Sequence, residues 1–236
     1  MCGRYVITAS GQVIADAFGL DTIPQLSPSY NIFPGQPIMA IRRSLSSQTN
    51  RLEANWFNWG LVPSWADSPK IAFKTINARS ETARTLPTFR EAYKYRRCII
   101  PATGYYEWKH TGSGKPTPYF ITRSDRGLIL MAGLWEHWMS PDGSEIESAT
   151  ILTRDSKAHP EISAVHHRMP VMLTQEDFGI WYGVQKPDAA SYQTLTQRAL
   201  ADSFDTWPVS DAVNKVGRDA PELLERVGIL EQGELF

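Results

Sequence analysis

Eight short apolar or aromatic runs with strand character dominate the chain, and turn residues stand between several of them. Helical spacing of apolar residues is confined to four segments that do not alternate regularly with the strands. A doubly wound parallel sheet requires that alternation, so this fold is not expected. The sequence instead predicts an α+β fold, a mostly antiparallel, β-barrel-like sheet with peripheral helices. The predicted strands are Arg4–Thr8, Pro37–Arg42, Leu52–Trp59, Arg97–Ile100, Tyr105–Trp108, Tyr119–Thr122, Leu128–Trp135 and Ser148–Thr153, and the predicted helices are Gly11–Phe18, Ser80–Thr85, Gln175–Tyr182 and Pro187–Leu200.

Proline and glycine mark the expected loops. The segment 27–35 carries Pro28 and Pro34 and predicts a loop, and the polar stretch 44–50 predicts an exposed hairpin end. Turns are expected at 112–114 and 141–143, where glycine meets serine, proline or aspartate. No repeat, low-complexity tract or linker interrupts the pattern. We expect one domain over residues 1–236.

Composition limits the cellular setting. Hydrophobic residues make up 42% of the 236 residues, and no apolar run approaches the ~18 residues of a membrane span. The 2 cysteines are too few for a disulfide framework. We therefore expect a cytoplasmic protein without a membrane partner.

Charge is unevenly distributed along a chain whose net charge is −1. Residues 70–109 contain nine Lys or Arg against three Asp or Glu, whereas residues 175–236 contain five against eleven. This asymmetry is compatible with a local basic face that binds a polyanion. Scattered, solvated surface charges are the alternative interpretation.

Cys2 follows the initiator methionine, which is generally removed before a small second residue. Removal would leave an amine and a thiol on one residue. An α-amino group has a pKa of roughly 7.7 to 8.0, so part of it is unprotonated near neutral pH and can attack a carbonyl. The thiol can then close a five-membered thiazolidine ring on the resulting Schiff base. An N-terminal amine also acts as the base in amide hydrolysis, and a cysteine at this position can equally be incidental.

Asn77 and Arg79 lie two residues apart, just before a short predicted helix. In an extended segment these side chains point the same way, so both can face one ligand. The amide would orient a reactive group and the guanidinium would bind a phosphate. A helix start with a surface arginine is the structural alternative.

Glu107 lies among aromatic residues in a predicted strand, where it shares a face with Tyr105 and Lys109. Partial burial by such neighbours would raise its pKa and suit proton transfer. An exposed strand glutamate is the alternative. His166 and His167 stand together before Pro170, and general acid–base chemistry is the expected use of such a pair. No spacing typical of zinc ligands is present, so no metal is expected.

Four separated motifs, in order along the chain, resemble those of the SOS-response-associated peptidase (SRAP) family. They are Met1-Cys2-Gly3-Arg4-Tyr5, Asn77-Ala78-Arg79-Ser80-Glu81-Thr82, Glu107-Trp108-Lys109 and His166-His167-Arg168-Met169-Pro170. The resemblance runs nearly end to end and includes segments 31–35, 59–65 and 207–210. It implies a compact mixed fold built on a β-barrel-like sheet, and covalent trapping of abasic sites in single-stranded DNA through the N-terminal cysteine. A peptidase or autoproteolytic role is also implied, as is a lyase activity.

The resemblance also implies residue roles. Cys2 would be the nucleophile, Asn77 would orient its terminus, Glu107 would transfer protons, and His166 would assist opening of the sugar ring. His167 fills a variable position of the motif, and His166 is the residue that we assign. Phosphate contacts are expected from Arg4, Arg79 and Arg168, and base contacts from Pro34 and Trp65. Ala66 stands where the family often has a second tryptophan.

The leading hypothesis is therefore a DNA-repair protein that forms a thiazolidine cross-link without metal or organic cofactor. Its partner would be single-stranded DNA with abasic sites, bound by a monomer that is nucleoid-associated on DNA. A thiol peptidase that uses Cys2 is the first alternative. A non-covalent module for single-stranded DNA is the second.

Overall fold

The structure, a computed structural model, describes residues 2–45, 51–110, 112, 114–185, 188–201 and 203–228. The strands of this part are β1 (Arg4–Ile7), β2 (Ser29–Ile32), β3 (Pro37–Arg43), β4 (Leu52–Trp59), β5 (Asn77–Arg79), β6 (Arg97–Ala102), β7 (Gly104–Lys109), β8 (Thr117–Arg123), β9 (Ile129–Met139), β10 (Glu145–Asp155), β11 (Arg168–Pro170), β12 (Met172–Leu173) and β13 (Phe204–Pro208). The α-helices are α1 (Gly11–Phe18), α2 (Ser80–Ala83), α3 (Arg90–Tyr95), α4 (Pro160–Ser163), α5 (Phe178–Trp181) and α6 (Ala189–Gln197). Short 3₁₀ turns cover Pro69–Lys74, Gln175–Asp177, Asp211–Asn214 and Pro221–Leu224.

Five strands close into a ring in the order β10, β4, β3, β6, β9 and back to β10. The pairing of β10 with β4 is parallel, and the other pairings of the ring are antiparallel. Closure removes the free edges that an open sheet of these strands would expose. The ring confirms the predicted barrel-like arrangement.

A second sheet packs against the barrel in the strand order β13, β8, β7, β1, β2, with antiparallel pairing throughout. Its inner face, which includes Tyr5 and Tyr105, belongs to the same apolar core as the barrel interior. Its outer face, with Val6 and Tyr106, forms a smaller cluster under the 3₁₀ turns near the C-terminus. The alternation of Tyr105 and Tyr106 between the two clusters follows the two-residue period predicted for this strand.

Helix α1 shows how the local sequence sets an element. Ser10 caps its start by accepting a hydrogen bond from the backbone N–H of Val13, and Gly19 ends it in the left-handed conformation at φ 62°. Ile14 and Phe18 bury the apolar stripe, and the Phe18 ring stacks on that of Phe178 at 5.0 Å. The predicted helix Gly11–Phe18 has these same bounds.

The predicted strand Leu52–Trp59 also has the bounds of β4, and the remaining predicted elements are confirmed with changed ends. The runs 128–135 and 148–153 extend to the longer strands β9 and β10, and the predicted helix 80–85 ends at Ala83. The segment 175–182 divides into a 3₁₀ turn and α5. Pro187, at the start of the last predicted helix, lies outside the described residues, as do 46–50 of the expected hairpin end and Ser113 of the expected turn. The expected turn at 141–143 is present, with Gly143 at φ 87°.

The loop predicted for 27–35 is wrong in part, because Ser29–Ile32 forms β2 on the edge of the second sheet. Pro28 and Pro34 flank this strand, where the missing N–H donor of proline costs no ladder bond. The sequence pattern also gave no separate signal for α3, α4, β11, β12 or β13. Among the described residues, no helix is long and apolar enough to cross a membrane.

Candidate active site

Strand β10 aligns two of the segments that carry the predicted site residues. It pairs in parallel with β5, where Ile151 faces Asn77, and antiparallel with β11, where Asp155 faces Arg168. The other two segments belong to the second sheet, since β1 pairs with β7 and places Arg4 opposite Tyr106. The site therefore lies at the seam between the barrel and the second sheet.

Asn77 joins the two sides of this seam. Its Nδ2 donates a 2.7 Å hydrogen bond to the carbonyl oxygen of Cys2. Its Oδ1 is buried and has no hydrogen-bond partner among the residues that the structure describes. The amide is thus fixed at one end and open to a ligand at the other.

Cys2 is fully buried, with its Sγ 3.9 Å from the carbonyl oxygen of Arg4. Burial raises the pKa of the Cys2 thiol far above its usual range, and the negative charge of Glu107 adds to the shift. The thiol is accordingly protonated at neutral pH. Any nucleophilic attack by sulfur requires a base that removes this proton.

Glu107 is only 2% exposed, so the alternative of an exposed strand glutamate is wrong. Loss of solvation raises the pKa of its carboxyl to about 7. Near neutral pH the carboxyl is present in both protonation states. A single group in this condition can donate a proton in one step and accept one in the next.

His166 faces Glu107, with Nδ1 3.7 Å from Oε1. Burial lowers the pKa of the imidazole to about 4, so the ring is neutral at pH 7 and the contact is not an ion pair. His167 is exposed, and its ring lies against that of His166 at a centroid distance of 4.5 Å. The geometry brings His166, and not its neighbour, to the buried carboxyl.

The two residues predicted to contact bases are both accessible to solvent. Trp65 is 57% exposed, with its indole N–H directed at the carbonyl oxygen of Pro87 at 3.4 Å. Half-buried Pro34 lines an apolar cavity of about 320 Å³ together with Trp59, Ile76 and the exposed Phe73. Sequence reasoning missed Phe73, whose aromatic type alone predicts a core position more readily than a surface one.

Two of the predicted phosphate ligands have accessible guanidinium groups. Arg79 is exposed on β5, and on the strand period it shares a face with Asn77. Half-buried Arg4 donates from Nη1 to Oδ1 of Asn31 at 2.9 Å and from Nη2 to the carbonyl oxygen of Asn214 at 3.2 Å. Asn31 is a second residue that sequence reasoning missed.

Arg168 has a different environment from the other two. Its side chain is buried, pairs with both carboxylate oxygens of Glu81 at 2.6 and 2.9 Å, and donates to the carbonyl oxygen of Thr153 at 2.7 Å. A phosphate would have to displace Glu81 to reach this group. Glu81 follows Arg79 in the same motif, but no sequence signal identified it as the partner of a residue 87 positions away.

No three His, Cys, Asp or Glu side chains of the described ranges are arranged to hold a metal ion. The groups of the site are the Cys2 thiol, the Asn77 amide, the Glu107 carboxyl of raised pKa and the neutral His166 imidazole.

Comparisons with known proteins agree with this architecture. A family model described as "SOS response associated peptidase (SRAP)" matches residues 1–216. A Bacillus subtilis (strain 168) relative, "Abasic site processing protein YoqW", is 37% identical over 228 residues, which are 95% of this chain and 99% of the relative. "Abasic site processing protein HMCES" of Gallus gallus is 34% identical over 224 residues, which are 84% of this chain and 66% of the relative. A crystal structure of a Bacteroides thetaiotaomicron protein superimposes with a TM-score of 0.79 at 27% identity, and the match covers 96% of this chain and 100% of that one.

Fold and site together define a mixed barrel protein whose candidate nucleophile lies at the N-terminus. The chain belongs to the SOS response associated peptidase (SRAP) family.

Proposed function

We propose that this protein processes abasic sites in DNA, and that it does so by forming a covalent bond between Cys2 and the lesion. The names of the YoqW and HMCES relatives support the first part. The observation that carries the second part is a chain of contacts that ends at a buried Cys2: Asn77 bonds its carbonyl, Glu107 acts on its thiol, and His166 faces Glu107. Removal of Met1, which lies outside the described residues, would convert the amide nitrogen of Cys2 into a free amine.

The amine attacks first in this proposal. An α-amino group with a pKa of roughly 7.7 to 8.0 is partly neutral at pH 7.5, whereas the buried thiol is protonated. Its lone pair bonds to C1′ of the ring-opened deoxyribose, and the carbonyl oxygen becomes the hydroxyl of a carbinolamine. Protonated Glu107 supplies the proton with which that hydroxyl leaves as water, and a C=N bond remains.

Ring closure then uses the same carboxyl in its other protonation state. Ionised Glu107 accepts the Cys2 thiol proton as sulfur bonds to C1′, and the C=N electron pair moves to nitrogen. The C=N bond left by the loss of water is an iminium, whose nitrogen already carries one hydrogen. Ring closure therefore gives a neutral thiazolidine, and Glu107 holds the thiol proton, which returns the carboxyl to its starting state. A carboxyl pKa of about 7 suits this double use, because neither state is costly to reach near neutral pH.

Asn77 and His166 position the reactants. The Asn77 hydrogen bond to the Cys2 carbonyl fixes the terminus, and the open Oδ1 can accept a hydrogen bond from the new amine. The neutral His166 ring can donate a hydrogen bond to the deoxyribose ring oxygen and so assist opening to the aldehyde. A ring with a pKa of about 4 acts as a hydrogen-bond donor at pH 7, not as a cation.

The surface groups would hold the strand on either side of the lesion. Arg79 and Arg4 are proposed to bind backbone phosphates, and Trp65 and Pro34 to contact bases. For Arg168 the pairing with Glu81 supports a positioning role more directly than a phosphate contact. Preference for single strands and a monomeric state belong to the same proposal, and gel filtration of the complex tests the latter.

Intact-mass spectrometry with an abasic oligonucleotide tests the proposal. The expected adduct has the summed mass of Met1-free protein and DNA less one water, and it survives heat. An oligonucleotide with a tetrahydrofuran lesion, which cannot form an aldehyde, is the matched control and should give no adduct. Cleavage of peptide bonds without any adduct would support the peptidase alternative, and salt-sensitive binding without a mass change would support the non-covalent one.

A further inference from the structure

A small cavity of about 180 Å³ lies apart from the candidate active site, between the ends of β3 and β6 and helices α3 and α5. Two arginines, a serine, a leucine and three aromatic side chains line it. They are Arg43, Ser44, Leu45, Tyr95, Arg97, Trp135 and Tyr182. No acidic residue is among the described lining residues, and the cavity has room for several waters or one tetrahedral anion.

Arg97 is the half-buried positively charged residue of this cavity. Its guanidinium lies 3.9 Å from the centre of the Tyr192 ring, with the Tyr93 and Trp181 rings at 5.6 and 5.8 Å. It donates a long hydrogen bond, of 3.5 Å, to the carbonyl oxygen of Trp181, and it also interacts with the Tyr192 hydroxyl. Its Nε is buried without a partner in the described part of the chain.

Two neighbouring arginines, Arg42 and Arg96, have the carboxylate partners that Arg97 lacks. Arg42 also lies on aromatic rings, those of Phe57 and Trp135, but it pairs with two glutamates at 3.0 and 2.6 Å. The neighbouring Arg96 pairs with Glu136. No Asp or Glu of the described residues lies within ion-pair distance of Arg97. Burial accordingly lowers the pKa of this guanidinium, the direction expected for a desolvated cation without a counter-ion.

We infer that the cavity at Arg97 and Arg43 is a phosphate-binding site, separate from the abasic-site chemistry. A guanidinium held flat by aromatic rings presents its N–H groups along its edge, which suits two oxygens of one phosphate. Exposed Arg43 supplies a second positive charge at the rim, and Tyr95, which is 62% exposed, leaves the entrance open to solvent. The ligand is inorganic phosphate or the phosphate group of a nucleotide.

Titration with inorganic phosphate, followed by the indole N–H signals of Trp135 and Trp181 in ¹H–¹⁵N NMR spectra, tests the inference. Saturable shifts are expected at millimolar concentration. Arg97→Gln should weaken binding about tenfold or more, because charge-assisted hydrogen bonds are lost. Arg43→Gln, at an exposed position, should fold normally and weaken binding less.

Controls separate this site from the DNA site and from unfolding. Arg79→Ala and Cys2→Ala should bind phosphate as the unaltered protein does, and Arg97→Lys, which keeps the charge, should bind with intermediate affinity and retain abasic-site capture. Unchanged phosphate affinity in folded Arg97→Gln would overturn the inference, as would the absence of saturable shifts. If Arg97→Gln does not fold, equal affinity of Arg43→Gln, Arg97→Lys and unaltered protein overturns it.

The source of the phosphate is distinguished by comparing ligands. Inorganic phosphate, thymidine 5′-monophosphate and an intact oligothymidylate are titrated separately against the Arg79→Ala protein. Tighter binding of the mononucleotide identifies a terminal phosphomonoester, and tighter binding of the oligonucleotide identifies a backbone phosphate. Failure of all three to shift the two indole signals contradicts the inference without bearing on Cys2.

Discussion

The backbone N–H of Arg168 points at Nδ1 of His166 at 3.0 Å, and the carbonyl oxygen of Arg168 lies 3.1 Å from the same nitrogen. A buried amide N–H without an acceptor costs more than a carbonyl with a spare lone pair. We therefore assign Nδ1 as the acceptor, which places the imidazole proton on Nε2. The residue that carries the Glu81 ion pair thus also sets the tautomer of the neighbouring ring.

Replacement of His166 tests the proposed role of this ring in capture. His166→Ala should slow adduct formation by roughly 10²-fold or more, because the hydrogen bond that assists opening of the sugar ring is lost. His167→Ala is the matched control at the adjacent exposed position and should change the rate little. Rates are followed on denaturing gels with one abasic oligonucleotide, and equal small effects in two well-folded variants would remove His166 from the mechanism.

The pH dependence of capture gives an independent test of the same ring. Because the pKa of His166 is about 4, its protonation state does not change between about pH 5.5 and 8. The ratio of the capture rates of the unaltered protein and His166→Ala should stay constant over this range. A ratio that changes with an inflection near pH 6.5 would mean that the ring titrates as an ordinary exposed histidine.

Glu107→Gln should make the protein more stable at alkaline pH while it slows capture. A carboxyl whose pKa is about 7 in the folded state and 4.5 in the unfolded state binds more protons when folded. Stability is therefore lost as pH rises from 4.5 through 7, by on the order of 3 kcal/mol. A glutamine side chain does not ionise, so the stability of the variant does not fall in this way as the pH rises. Urea denaturation at about pH 8.5 should favour the variant, and the difference should vanish near pH 4.

The two cysteines offer a matched pair for the nucleophile. Cys2→Ala should give no heat-stable adduct, because neither ring closure nor thiol assistance remains. Cys98→Ala, at the other fully buried cysteine, should form the adduct at an unchanged rate. The measurement is intact mass after heating. A stable adduct from Cys2→Ala would falsify the thiazolidine mechanism.

Salt dependence separates the phosphate ligands from the positioning arginine. Arg79→Ala should weaken DNA binding and reduce the slope of log K against log salt by about one, as expected for one lost phosphate contact. Arg168→Lys should keep the salt slope, since its partner is Glu81, yet slow capture through His166. Fluorescence anisotropy with single-stranded DNA gives the slopes. A smaller slope for Arg168→Lys would restore the role of phosphate ligand to that residue.

Gly60→Ala tests the backbone next to the site. Gly60 has φ 127°, and a Cβ there would lie 2.5 Å from the carbonyl oxygen of Ala72 in the 3₁₀ turn. Strain at a residue of this kind costs about 1–3 kcal/mol, and the clash adds to it. Thermal melting should show the loss, whereas Gly112→Ala, a glycine with positive φ and open space around it, should lose less.

The strands of the barrel were predictable because they are runs of apolar and aromatic residues, as in 52–59 and 128–135. The edge strand β2 was not, since flanking prolines signal a loop and only tertiary pairing with β1 makes Ser29–Ile32 extended. Motif resemblance identified Cys2, Asn77, Glu107 and His166 as candidates, and the structure places them together. Their catalytic roles remain predictions.

Ion-pair partners could not be read from the sequence for a physical reason. Glu81 and Arg168 are 87 positions apart, and only the shared pairing of β5 and β11 with β10 brings them together. Burial of Glu107 similarly depends on Cys2 and the neighbouring sheet, not on its own strand. The pattern of residues within one strand or helix shows neither its distant ion-pair partners nor its burial by another sheet.

Because the site lies between the two sheets, the protein can lose activity without losing its secondary structure. Each sheet holds its own strands through ladders of hydrogen bonds, but Asn77 reaches Cys2 through a single one. Gentle heating or dilute denaturant should break this contact and release the Cys2 end of β1 locally before either sheet melts. A sample could then keep its full strand content by circular dichroism and still have lost its capacity to capture DNA. A normal circular dichroism spectrum would therefore not show that the site is intact.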